Sequence, residues 1–265
     1  MLPSIVLPGL LVEPEWLEAH LGHDRLRIVD LRDRDGYAKG HLPGAVQVDL
    51  KDLGYSKAGL DNVLLPAEEF EARMARCGIS SGDSVVAYDD NCGLPASRLV
   101  WALHRYGHAA AAVLDGGWDL WQEDLKPVDK GAATVISTTY SAGAETEVIA
   151  DHDWLMAHMQ QDNVILLDTR SRSEFDQGHV PGAVSWDWFR AVPEDSWRTS
   201  RGRDELVTEL ARIGVTESSE VVTYCATGMR AAHTYVVLRH LGFPRVRLYD
   251  GSWQDWSSRS GSDDS

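Results

Sequence analysis

The sequence predicts an α/β protein made of two tandem copies of one domain, each a mainly parallel sheet flanked by helices. Internal repetition is the first observation behind this. IVDLRDRDGYAKGHLPGAV at 28–46 returns as LLDTRSRSEFDQGHVPGAV at 166–184. Asp30 corresponds to Asp168, Arg32 to Arg170 and Tyr37 to Phe175, and Gly-His-x-Pro-Gly-Ala-Val matches in register. The spacing from Trp16 to Trp154 equals that from Asp30 to Asp168. Downstream, VVAYD at 85–89 matches VVTYC at 221–225, and LDGGWDLW at 114–121 matches YDGSWQDW at 249–256. Two copies with slips of a few residues mark a duplication and not a solenoid. The second observation is that apolar β-rich runs alternate with helical patterns, the signature of a parallel sheet. The third is length: 265 residues suit two domains of ordinary size.

Each element has a local cause. A helix opens near Glu13 and again near Asp151, where acidic residues suit a helix N-terminus. The short apolar runs RIVDL and VILLD are strands, and each leads into a polar turn ending in His-x-Pro-Gly-Ala. Helices follow at 66–77 and 203–213. DSVVAY and SEVVTY are β-rich and feed, through loops, the amphipathic helices of SRLVWALHRYG and RAAHTYVVLRHLG. Gly107 and Gly242 close these helices. A last strand, AAVLDG or VRLYDG, precedes a Trp-bearing segment. Residues 129–147 are small and polar, lack helical period, and read as the interdomain connection.

Composition narrows the function. Hydrophobic residues make up 43% and charged residues 25%, ordinary for a globular protein. The formal net charge of −16 disfavours nonspecific binding to nucleic acid or an anionic membrane. No apolar run reaches the roughly 20 residues of a membrane span. MLPSIVLPGLLVEPEW lacks a basic n-region and is broken by prolines, so it reads as an N-terminal arm. Three widely spaced cysteines make neither a disulfide framework nor a metal site, which fits a reducing cytoplasm.

The chemistry concentrates at CATGMR, residues 225–230. In open α/β sheets ligands bind beyond the carboxyl ends of strands, and this loop lies there. Cys225 ends an apolar strand, and a helix starts within or just after the loop, with its free N–H groups favouring negative charge. Such a position favours a nucleophilic thiolate. Gly228 lets the loop curl so that amides approach an anion. Arg230 offers a planar cationic fork suited to an oxyanion, and Thr227 a hydroxyl. Ala226 and Met229 complete the candidate lining, and Arg170 is a secondary anion-binding candidate. A lone cysteine at a strand end is usually a small buried hydrophobe; the assembled strand, glycine loop, arginine and helix outweigh that reading here.

The other copy is an internal control. Asp89 stands in the cysteine's place in YDDNCGLPASR, within a longer loop bearing Pro95. A carboxylate cannot carry a transferable sulfur, so the first domain reads as chemically silent. Cys77 and Cys92 read as structural. His41 and His179 recur in both copies and read as histidines satisfied by local backbone. The recurrence of Arg32 and Arg170 also admits a structural ion pair with a neighbouring acid. The Trp118 and Trp253 pair reads as core or turn packing.

With these motifs in view, the chain resembles the tandem-domain rhodanese family, the thiosulfate and 3-mercaptopyruvate sulfurtransferases. The matching features are Asp-x-Arg with Gly-His-[Leu/Val]-Pro-Gly-Ala-Val in both copies, the loop Cys225–Arg230, and Asp-Gly-[Gly/Ser]-Trp near each domain's end, from about residue 12 to 256. The resemblance implies an inactive domain over 1–128, a catalytic domain over 148–256, and a site between the two. The tail 257–265 is expected to be disordered. It implies ping-pong sulfur transfer through a Cys225 persulfide, from a small-molecule donor to a thiophilic acceptor such as cyanide or a thiol, needing no cofactor or metal. Nothing in the sequence demands more than a monomer.

Donor identity rests on detail. Ala226 and Thr227 lean towards 3-mercaptopyruvate, and Arg230 towards the bacterial thiosulfate type. Mercaptopyruvate enzymes tend to carry a histidine where Val63 stands and an arginine where Glu174 stands. Both departures favour thiosulfate. A rival phosphatase of related fold needs a loop one residue longer between cysteine and arginine. A non-enzymatic sulfur carrier or redox sensor is the other rival.

Overall fold

A computed structural model describes residues 5–57 and 59–260, which form two compact units. In chain order the first half supplies β1 (Leu11–Val12), α1 (Pro14–Ala19), β2 (Leu26–Asp30), α2 (Arg34–Lys39), β3 (Val46–Gln47), β4 (Gly54–Lys57), β5 (Leu60–Leu64), α3 (Ala67–Arg76), β6 (Ser84–Tyr88), α4 (Leu94–Arg105), β7 (Ala111–Leu114) and α5 (Gly117–Glu123). The second half supplies β8 (Ile149–Ala150), α6 (His152–His158), β9 (Val164–Asp168), α7 (Arg172–Gln177), β10 (Val184–Ser185), α8 (Arg203–Arg212), β11 (Glu220–Tyr224), α9 (Met229–His240), β12 (Val246–Tyr249) and α10 (Ser252–Ser260). One five-stranded sheet has the order β1-β7-β6-β2-β3, and the other β10-β9-β11-β12-β8. Every pairing within these two sheets is parallel. The expected α/β class and its duplication are both present.

Burial on both faces explains the near-continuous apolar strands. All of β6 is buried, and so is β11 beyond its first residue. Helix α9 is buried from Ala231 to Leu238, with Ala231 and Ala232 at its start. Its placement within the fold, more than amphipathicity, accounts for the apolar run YVVL.

Two short helices occupy what reads in sequence as polar turns. Asp33 caps α2 by accepting from Gly36 N at 2.6 Å. Ser171 caps α7 in a full capping box with Glu174. The Ser-x-x-Glu spacing at 171–174 is the sequence signal for that helix. The expected disordered tail also needs correction, because α10 runs to Ser260. Arg259 Nε binds Asp255 Oδ1 at 2.6 Å one turn back, and Ser258 Oγ donates to Asp255 O. Residues 261–265 lie outside the described residues.

The units do not follow the linear order of the chain. The second unit includes Tyr55–Val63, and the first includes Glu194–Thr199. In the first unit, Thr199 N donates to Asp115 Oδ1 at 2.7 Å, and Arg198 Nη1 binds both Glu13 and Asp115. Most of the expected connection also belongs to the first unit, up to Thr146. Asp129 exchanges backbone hydrogen bonds with His41, and Thr138 N donates to Ala75 O at 3.0 Å.

One buried cross-link recurs in both units. Arg170 Nη2 binds Asp168 Oδ2 at 2.6 Å and Gly178 O at 2.7 Å, and Arg170 Cζ lies 4.6 Å from the Trp253 ring centroid. Arg32 repeats this on Asp30, Gly40 and Trp118, with the ring at 3.8 Å. The glycines allow the tryptophans in: a Cβ on Gly178 would meet Trp253 at 3.0 Å. His41 and His179 engage Tyr37 O and Phe175 O through Nδ1 and stack on those same aromatic rings. Removing one partner of a buried ion pair leaves an uncompensated charge. Arg170→Ala should therefore cost about 3–5 kcal/mol, read as a lower urea midpoint. An unchanged midpoint would show that the pair carries no net stability.

Candidate functional site

The loop at 225–230 stands where β11 ends and α9 begins. Cys225 is buried, only 1% exposed. Its amide donates to Ser252 Oγ at 3.2 Å. Gly228 is the N-cap of α9 at φ 86°, the left-handed region where a side chain would be strained. The loop carbonyls are held from outside: Trp253 N donates to Cys225 O at 2.9 Å, and Gln254 N to Ala226 O at 3.2 Å. Asn62 Nδ2 donates to Thr227 O at 2.9 Å. Among the described residues, the amides of Ala226, Thr227, Gly228, Met229 and Arg230 donate to no protein acceptor. Several N–H donors at a helix start, beside a thiol, make an anion cradle.

Arg230 differs from the sequence expectation of an open cationic fork. Its Nη1 and Nη2 both bind the Glu174 carboxylate, each at 2.7 Å. The Arg230 bond, helped by Ser171, holds Glu174 down to about 2. Arg230 is raised in turn, first by Glu174, with the Cys225 side chain adding a hydrogen bond. Both guanidinium nitrogens that could fork an external anion are therefore taken by Glu174. Arg170 does not meet its expectation as an anion ligand: its side chain is 3% exposed and bound to Asp168 and Gly178. The alternative, a structural ion pair, is what the fold contains.

Two stretches of the chain, residues 13–124 and 151–259, match the rhodanese-like domain family. The chain belongs to the rhodanese family. It is 32% identical to a thiosulfate sulfurtransferase of Pseudomonas aeruginosa over 94% of each chain. It is 29% identical to the sulfur carrier protein TtuD of Thermus thermophilus, over 96% of this chain and 95% of that one. Its fold matches the crystal structure of the 3-mercaptopyruvate sulfurtransferase SseA of Escherichia coli with a TM-score of 0.84 at 26% identity, over 92% of this chain and 99% of that one. The protein is thus an enzyme of the rhodanese sulfurtransferase type.

The first rhodanese domain keeps the backbone of the loop and changes its content. Gly93 caps α4 at φ 79°, as Gly228 caps α9. Trp118 N donates to Asp89 O at 2.8 Å, as Trp253 N does to Cys225 O. The Asp89 carboxylate turns back into its own loop and accepts from Asn91 N, Gly93 N and Ala96 N at 2.7–2.9 Å. In this rhodanese copy the cradle holds a built-in anion. Cys92 sits apart at φ 54°, and burial raises its thiol, as it does that of Cys77. Among the described residues, no group of three or more His, Cys, Asp or Glu is placed to hold a metal ion, and no helix is long and apolar enough to cross a membrane.

Burial lifts Asp89 to about 6, even against its three amide donors. Its folded pKa lies above its unfolded one, so the native state holds the proton more tightly. The associated stability is complete below about pH 4 and is lost as pH rises to about 6. Asp89→Asn should remove this slope, worth up to about 3 kcal/mol. Urea unfolding of both proteins from pH 4 to 7 tests it. Parallel stability curves would mean that Asp89 does not titrate in that window.

Proposed function

We propose that the protein is a thiosulfate sulfurtransferase in which Cys225 carries the sulfur as a persulfide. The observation that carries this reading is the empty-handed amide cradle around Cys225, set against the filled cradle around Asp89. The Cys225 thiolate attacks the outer sulfur of thiosulfate. A new S–S bond forms, the donor S–S bond breaks, and sulfite leaves with its electron pair. The persulfide anion lies where the amides of 226–230 can stabilise its charge. A thiophilic acceptor then takes the outer sulfur and restores the thiolate; cyanide would leave as thiocyanate. Arg230 and Glu174 form an ion pair at the helix start that adds no net charge, which leaves the anion to the amides. Thr227 and the small Ala226 line the approach, and Met229 and Gly228 contribute amides.

Thiosulfate is favoured as donor by the relative in Pseudomonas aeruginosa and by Val63 and Glu174. With Glu174 on the Arg230 fork, neither donor's oxyanion takes that guanidinium without displacing the carboxylate. In this reading residues 148–256 act as the catalytic domain, and Asp89 makes the first domain silent. The protein works in the cytoplasm as a monomer, on small-molecule donor and acceptor. The relative named as a sulfur carrier supports one alternative, a persulfide form that is loaded once and handed to a partner.

Steady-state sulfur transfer to cyanide, with thiosulfate and 3-mercaptopyruvate in parallel, tests the proposal on wild type and Cys225→Ser. We expect a higher kcat/KM for thiosulfate, and no transfer above background from Cys225→Ser. A preference for 3-mercaptopyruvate would overturn the donor assignment and keep the nucleophile. A single-turnover burst without steady turnover would identify a carrier.

A further inference from the structure

The ribbon β4–β5 comes from the first half of the sequence and reaches the loop at Cys225. Residues 55–63 belong to the second compact unit. Gln254 ties the ribbon down: its Nε2 donates to Gly59 O at 2.9 Å, and its Oε1 accepts from Asp61 N at 2.9 Å. The same residue's amide holds Ala226 O. Next to Asp61, Asn62 adopts φ 60° and extends Nδ2 to Thr227 O. Asparagine is among the few non-glycine residues that enter the left-handed region readily. The conformation that aims the side chain at the loop is thus compatible with the residue present.

The consequence follows from peptide planarity. Thr227 C=O and Gly228 N–H belong to one rigid unit and point in opposite directions. Cys225 O and Ala226 O are held by main-chain donors. Thr227 O is held by a side chain from a distant segment. The plane it fixes adjoins Gly228, whose missing Cβ makes a peptide flip sterically cheap. Among the described residues Gly228 N donates to no protein acceptor, so it is Asn62, at the other end of the peptide, that opposes the flip. Resting on the sulfur-transfer reading above, we propose that Asn62 is a positioning residue: it locks the Thr227–Gly228 peptide so that Gly228 N–H faces the anion carried at Cys225.

Two variants separate the donor from the backbone. Asn62→Asp keeps size and tolerance of positive φ but replaces the NH₂ donor by an acceptor. Asn62→Gly keeps the backbone freedom and removes the side chain. On the full chain, each should lower kcat for thiosulfate-to-cyanide transfer about tenfold, the scale of one lost hydrogen bond to a charged group. KM should change less than threefold, and Cys225 alkylation by neutral iodoacetamide less than twofold. The Gly228 amide resonance, followed by ¹⁵N–¹H NMR, should shift on adding thiosulfate to wild type and not to either variant. Variants with kcat within twofold of wild type, or with the same Gly228 shift, would overturn the proposal. An equal loss of alkylation and transfer would do so too, since it would mean general loop collapse. A wild type without turnover would overturn the enzyme reading alone, because the Gly228 shift still decides the role of Asn62.

Discussion

The second domain hangs on a carboxylate and a guanidinium that never meet bulk water. Asp168, at the end of a central strand, fixes Arg170, which reaches the Gly178 carbonyl and the face of Trp253. Trp253 in turn offers its amide to Cys225 O, and its neighbour Gln254 offers one to Ala226 O. A hydrophobic core would hold the strand and helix together, but it would not set the tilt of individual peptide planes. The ion pair and the indole do that indirectly, by fixing the backbone that holds the loop. Such a pair adds little net stability compared with apolar packing, and its value here lies in geometry.

The two loops share a backbone and differ in what fills it. Both have a left-handed glycine at the helix start and a tryptophan amide on the first loop carbonyl. In one, a cysteine precedes amides that no protein acceptor takes; in the other, a carboxylate claims three. With a net charge of −16, an external anion must overcome a repulsive field to reach either loop. Fixed amide dipoles and an Arg230 already neutralised by Glu174 make a local answer that adds no net charge.

The duplication, the parallel sheets and the loop at Cys225 were legible in sequence because each rests on local pattern: repeated motifs, β-rich runs, and a cysteine with glycine and helix behind it. The two roles of Arg170 could not be told apart in one dimension. Only burial against Trp253 decides for the ion pair. Glu174 was visible as a departure from a family tendency, but its bond to Arg230 joins residues 56 positions apart. The ribbon β4–β5 passed unread, although Gly59 between two short alternating runs was a turn signal. Its bearing on the site depends on Asn62 and Gln254 meeting segments far along the chain, and no spacing rule records that. Capping boxes were the cheaper omission, since Ser171 and Glu174 spelled one out.

The exchange of segments has a consequence for how the chain is made. The first unit needs Glu194–Thr199, and the second needs Tyr55–Val63. As the polypeptide leaves the ribosome, the first domain can form its sheet but must wait for some fifty further residues beyond Thr146 before Arg198 and Thr199 arrive to satisfy Asp115 and Glu13. Domains usually fold one after another during synthesis. Here each unit takes a segment from the other half of the sequence, so cutting the chain at its apparent midpoint would leave both halves incomplete.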